Sequence, residues 1–405
     1  MRPAHASEVP GLGGPVVPAA RELLSEGGPQ PGAKTGPVFE RVVFRTDDAE
    51  FTVKDVLDTA WVRGDLQPLW RQLLESLACQ QRADELAQEA EDVALQAMSE
   101  EFRYERQLLT PEETEHWLAA RDLTEDDFGD YFLRRFWREH SKEPVAPEDL
   151  DLLEAPPELL NLLRAELLLS GEFDRLAQAL SWRLVAHDTT LDTPDSTLAP
   201  RPSTPVTISE RAHFLEQLGL NEATLPDALQ HLGRDLAWFD QSLRLEAAYR
   251  IVCDRCRTDE KRAGALAARR LALTRVQVET IVLRSLEAAQ EAILCAREDQ
   301  LPLDELAQQC GVACQRSEWF LEDGPPDLQQ TLLSASPGEI LGPHALDGQF
   351  AVHRLAAKSP PDLNQPDVRT RIDRRLLETH FAELTGKRIR WVLPTGSASG
   401  RGAAR

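Results

Sequence analysis

Arg275-Val-Gln-Val-Glu-Thr-Ile-Val-Leu283 is the stretch whose reading decides the fold. Valine, isoleucine and threonine fill it, and neither glycine nor proline interrupts, which favours an extended strand. Behind it, Ala288, Ala292, Leu294, Leu303, Leu306 and Ala307 recur at spacings that suit an amphipathic helical segment. A short apolar corner, Trp319-Phe320, precedes the turn Pro337-Gly-Glu-Ile-Leu-Gly-Pro343 and a closing strand, Gly348-Gln-Phe-Ala-Val-His-Arg-Leu355. Strand, helix, corner, turn and strand in this order predict a small α+β domain over residues 274–358.

The rest of the chain reads as mostly helical. Val42-Val-Phe-Arg-Thr-Asp-Asp-Ala-Glu-Phe51 predicts a short strand, a polar turn and an apolar return. Thr52 and Asp55 then have the spacing of a capping box, and helices are expected from Val53 to about Ala60 and from about Asp65 to Met98. Thr110-Pro-Glu-Glu113 opens another helix, with proline at its first position. A helix pair is predicted over about Pro157 to Ala186, broken near Ser170-Gly171. Phe102, Leu109, Leu118 and Phe128 can be laid against Phe214, Leu220, Leu229 and Phe239, either as a weak internal repeat or as two unrelated Leu-rich hairpins.

Composition shifts divide the chain. Residues 1–38 form a Pro/Gly/Ala-rich head expected to be disordered, 39–188 a helical domain and 189–205 a Pro/Thr linker. A helical section follows over 206–273, then the α+β domain over 274–358, a closing helix and strand over 359–393, and a disordered Gly/Ser/Arg tail over 394–405. The closing segment Arg388-Ile-Arg-Trp-Val392 reads as a strand.

The 405 residues carry a net charge of −23 and are 42% hydrophobic and 28% charged. That balance suits a soluble protein and argues against nucleic-acid binding, which needs a cationic surface. No run of about 18 apolar residues is present, so membrane insertion is not expected. The first residues lack the apolar core of a signal peptide, and six cysteines are scattered rather than framed for disulfides. A cytoplasmic protein with reduced thiols is the expectation.

The ordered set over about Thr274–Ala356 resembles a parvulin-type (PpiC/SurA-like) peptidyl-prolyl isomerase domain in degenerate form. The helical segment Phe102–Phe132 is similar to the N-terminal region of SurA-type chaperones. The closing helix and strand resemble parvulin-like proteins of peptide maturation systems. Such isomerases use two histidines on adjacent strands. By this resemblance Thr280 stands where the first histidine would be and Phe350 where the second would be. His353 lies three residues beyond Phe350, so strand alternation directs it to the other face unless a bulge intervenes. His344, in the preceding turn, is a second and weaker substitute, and both histidines also read as ordinary, solvent-touched residues.

Amide rotation has a barrier of about 18–20 kcal/mol from resonance alone, and needs no nucleophile. An apolar pocket with well-placed polar groups lowers it by favouring the twisted amide. The resemblance implies a groove from Trp319, Phe320, Leu328, Leu332, Leu333, Ile340 and Phe350, each of which also reads as ordinary core. No catalytic residue is assigned outright. The expected function is a chaperone-like peptide binder that holds a precursor or unfolded peptide for maturation or export, with isomerase activity weak or lost. One alternative is an active isomerase with shifted catalytic groups, for which His353, Glu279 and Thr280 are the candidates. Another is an adaptor for a peptide-modifying enzyme or exporter.

Cofactors are not expected. Cys253-Asp-Arg-Cys256 and Cys310-Gly-Val-Ala-Cys314 are the pairs to weigh for zinc, but the first falls within a predicted helix, about Leu243–Arg262, with no knuckle turn. Whether the four thiols converge is left open by spacing. Phosphate-binding, dinucleotide-binding and hydrolase motifs are absent from the sequence.

Overall fold

The computed structural model describes residues 38–141, 150–191, 205–346 and 348–393. The Pro/Gly/Ala head up to residue 37, residues 192–204 of the Pro/Thr segment and the tail from 394 lie outside the described residues. The chain is α+β and mostly helical, and its described residues divide into two compact units: those up to Val252 together with those from Glu383, and those from Cys253 to Ala382.

In the first unit, β1 (Val42–Arg45) and β2 (Glu50–Thr52) form a hairpin. β7 (Arg390–Trp391) pairs with β1, Phe44 facing Trp391, so the two ends of the described chain share one small sheet. Thr52 caps α1 (Val53–Val62) through a reciprocal capping box with Asp55. The long helix expected from Asp65 to Met98 is in fact two, α2 (Leu66–Glu85) and α3 (Asp92–Glu105). Ala87 adopts a left-handed φ of 49° and the amides of Ala87 and Gln88 turn back to Asp84 and Ala83. This αL stop is less costly than its missing glycine suggests, because it satisfies the helix-end carbonyls.

Thr110 caps α4 (Pro111–Ala119), and Thr124 caps α5 (Glu125–His140), so the acids of Glu125–Asp127 sit at a positive helix end. α6 (Pro157–Ser170) stops at Gly171, whose φ of 82° suits glycine, and α7 (Glu172–Leu191) follows. α8 (Pro205–Gln217), α9 (Leu225–Leu232) and α10 (Leu236–Cys256) complete the helical run. The first-to-last ring contact of the proposed repeat occurs in both halves: Phe102 meets Phe128 at 5.2 Å and Phe214 meets Phe239 at 6.4 Å, both edge-on.

The second unit holds α11 (Asp259–Arg269), β3 (Arg275–Leu283), α12 (Leu286–Glu298), α13 (Leu303–Cys310), β4 (Gln315–Phe320), α14 (Pro326–Ser334), β5 (Ile340–Leu346) and β6 (Gln349–Ser359). α15 (Pro366–Arg388) begins in this unit and runs on towards β7. Two expectations change. The amphipathic stretch is two helices, and Trp319-Phe320 ends a strand rather than forming a corner. The sheet is antiparallel in the order β4-β3-β6-β5. One face carries Ile281, Leu283, Val352 and Ile340 and is covered by Ala289, Ile293, Leu303 and Leu306 of α12 and α13. The other carries Val276, Val278, Leu341 and Leu355 and is covered by Leu328 and Leu332 of α14. Burying a Leu or Ile side chain in this way stabilises the fold by about 1.5–3 kcal/mol each.

Candidate functional site

The site lies on the α14 face of this sheet, next to the cluster of Val278, Leu341 and Leu355 under α14. It arises from strand register. Thr280 in β3 is directly opposite His353 in β6, so both side chains project from the same face. The Thr280 hydroxyl and His353 Nδ1 are 2.9 Å apart. The neutral ring accepts from that hydroxyl in one tautomer and donates to it in the other.

His344 joins them because of an irregularity. Leu341 pairs with His353 and His344 pairs with Ala351, so Gly342 and Pro343 together stand opposite the single residue Val352. This bulge turns His344 to the face that simple alternation would have denied it. Its ring centre lies 5.3 Å from that of His353. Gly342 makes the bulge possible: its φ is 112°, and a Cβ there would meet the Ala351 carbonyl oxygen at 2.8 Å.

His353 is only 9% exposed. Burial, seconded by repulsion from His344, pulls its pKa down to about 4, so at neutral pH the ring is uncharged. His344 is half-buried, and its Nδ1 is enclosed without a hydrogen-bond partner among the described residues. Two imidazoles and a hydroxyl therefore sit in apolar surroundings, next to half-buried Val282 and exposed Leu346. Such a set can hydrogen-bond the carbonyl and amide of an extended peptide while its apolar neighbours hold a side chain.

Several expectations are corrected by this geometry. Thr280 and Phe350 are not neighbours: Phe350 pairs with Leu283 and packs on the face covered by α12 and α13. His353 does point away from Phe350, as alternation required, but it is buried rather than solvent-touched. Glu279 projects opposite to Thr280 and lies between Arg316 at 3.1 Å and Arg354 at 3.4 Å, outside the site.

The residues expected to line a groove are dispersed. Ile340 and Phe350 belong to the cluster under α12 and α13. Leu328, Leu332 and the flanking Trp319 belong to the cluster under α14, and Leu333 on the same helix is exposed. Phe320 packs with Leu273, Val368 and Ile372, beneath the guanidinium groups of Arg275 and Arg371. No single groove contains them. His344 is the weaker of the two histidine candidates in the sequence, and the Gly342-Pro343 pair before it is the feature that accompanies the bulge.

Cys253 and Cys256 are both buried on α10, Cys310 is exposed at the end of α13, and Cys314 is half-buried. Burial pushes the thiols of Cys256 and Cys314 up, which keeps them protonated. No group of three or more His, Cys, Asp or Glu side chains among the described residues is arranged to hold a metal ion. No described helix is long and apolar enough to cross a membrane.

No protein-family model matches the chain, and no curated protein does. Among solved structures, the chain is similar to the foldase PrsA of Streptococcus pneumoniae, with 14% identity over 53% of this chain and 82% of that one and a TM-score of 0.25. PrsA of Bacillus subtilis is similar at 13% identity, over 57% and 85% of the two chains, with a TM-score of 0.20. A SurA-like chaperone of Campylobacter jejuni is similar at 11% identity, over 56% and 88%, with a TM-score of 0.18. Likeness at this level leaves the functional reading to the geometry of the chain itself.

Proposed function

We propose that this protein is a chaperone-like peptide binder that holds a precursor or unfolded peptide for maturation or export, acting in the cytoplasm, with prolyl isomerase activity weak or lost. One observation carries the reading: strand register and the β5 bulge bring His344, His353 and Thr280 together on one face of the sheet. Hydrogen-bonding groups flanked by apolar surface suit an extended backbone. The weak-activity part rests on the same geometry. His353 is sequestered by its bond to Thr280 and by burial, which limits its approach to a twisting amide.

Titrating the full chain with short proline-containing peptides, while following histidine ring resonances, tests the proposal. His344 and His353 signals are expected to shift with saturable binding, and the cis–trans exchange of the bound peptide to remain near its uncatalysed rate. Absence of any ring shift at millimolar peptide defeats the binding reading.

The hydrogen bond between Thr280 and His353, with His344 beside it, also favours a second reading, an active isomerase with displaced catalytic groups. Exchange accelerated by orders of magnitude, and abolished by His344→Ala, would select it. The adaptor reading has no specific observation behind it.

A further inference from the structure

In the first unit, a cleft of about 380 Å³ opens between the end of α3, α4 and the junction of α6 with α7. Its centre is Arg106. The guanidinium lies 3.7 Å from the Phe102 ring and 5.8 Å from that of Trp117. Two further arginines line the cleft: Arg121 stacks at 4.0 Å on the same Trp117, and Arg175 is paired with Glu172. The walls are completed by Leu168 and Gly171, where the absence of a side chain leaves room beside Arg106.

Arg106 is incompletely matched. A guanidinium has five N–H donors. One Arg106 amine donates to the Leu169 carbonyl at 2.9 Å, and the other reaches Glu105 only at 3.5 Å, a carboxylate whose side chain is 65% exposed. Its remaining donors have no hydrogen-bond partner among the described residues. Asp174 also lines the cleft but is already engaged within the protein. A guanidinium whose side chain is 21% exposed, held against the Phe102 ring and facing open volume, is arranged for a planar anion.

We propose that this cleft binds a carboxylate of a peptide, received by Arg106, with the adjoining apolar group resting on Trp117. The carboxylate comes from a chain terminus or from an acidic side chain. Arg106 fixes the anion, and the half-buried indole of Trp117 adds contact area without demanding a particular sequence. The site belongs to the helical unit and does not depend on the histidine site of the sheet.

Calorimetry on the full chain tests this with three versions of one apolar hexapeptide: a free C-terminal acid, a C-terminal amide, and an amide with an internal aspartate. At least one carboxylate-bearing version is expected to bind about tenfold more tightly than the plain amide. Which one does so identifies the source of the carboxylate. The wild-type comparison needs no variant, and so stands even if Arg106 also supports the fold. Arg106→Gln, checked for retained helicity by circular dichroism, is expected to erase the difference, and Arg106→Lys to keep part of it. Equal affinity for the three peptides, no measurable binding, or a preference that survives in folded Arg106→Gln overturns the assignment.

Discussion

The Thr280 hydroxyl lies 2.9 Å from His353 Nδ1 across two neighbouring antiparallel strands. This bond joins the centre of the sheet to the only deeply buried histidine among the described residues, and it satisfies the one polar atom of that ring facing β3. Stability and the proposed peptide binding meet at this pair.

Thr280→Val keeps the β-branched shape but removes the hydroxyl. It leaves His353 Nδ1 buried and unpaired, a loss of about 1–3 kcal/mol. Thr280→Ser should lose much less. Urea unfolding of the two variants at pH 7 provides the comparison, and equal stabilities would show that the bond contributes little.

The depressed pKa of His353 makes stability depend on pH in a defined window. Its ordinary value is 6.5 and in the fold it is about 4. Below pH 6.5 the unfolded chain gains a proton that the folded ring refuses. Stability from this residue is therefore complete above that pH and falls as pH drops towards 4. The full difference is about 3 kcal/mol. His353→Asn should show a shallower decline between pH 7 and pH 4.5. Parallel declines in variant and wild type would place the pH dependence elsewhere.

Phe350 and His344 should separate packing from binding. Phe350 rests on the cluster of Ile281, Leu283 and Val352, so Phe350→Ala is expected to cost about 2–4 kcal/mol while leaving peptide affinity unchanged. His344→Ala should do the reverse: stability within about 0.5 kcal/mol of wild type, as for most partly exposed positions, and affinity reduced several-fold. Thermal melts together with peptide titrations decide the matter. A loss of affinity in Phe350→Ala alone would move the binding site to the other face.

In the helical unit, Arg134 is completely buried and its Nη2 meets Glu166 Oε2 at 3.1 Å. Glu166→Ala strands a guanidinium in the interior and should destabilise the protein by about 3–5 kcal/mol. Replacing both partners, Arg134→Met with Glu166→Leu, should recover most of that loss. Guanidinium chloride titrations of the single and double variants measure the recovery; a double variant no better than the single would show that the cost lies in packing, not in the uncompensated charge.

What sequence alone determined here was local. The capping boxes at Thr52 and Thr110, the break at Gly171 and the bounds of β3 depend on residues within a few positions of one another, where sterics and backbone hydrogen bonds suffice. The α+β character followed from the same short-range patterns. Residue partners across the sheet did not. Thr280 found His353 rather than Phe350, and His344 reached their face only through the bulge at Gly342-Pro343. Side chains alternate along a strand, so one extra residue inverts a face; the bulge that places His344 is set by the β5–β6 pairing, and the partner of Thr280 by pairing between segments some seventy positions apart. The Arg106 cleft is of the same kind. Its walls come from four helices whose packing decides which donors are matched, and no window of sequence contains that information.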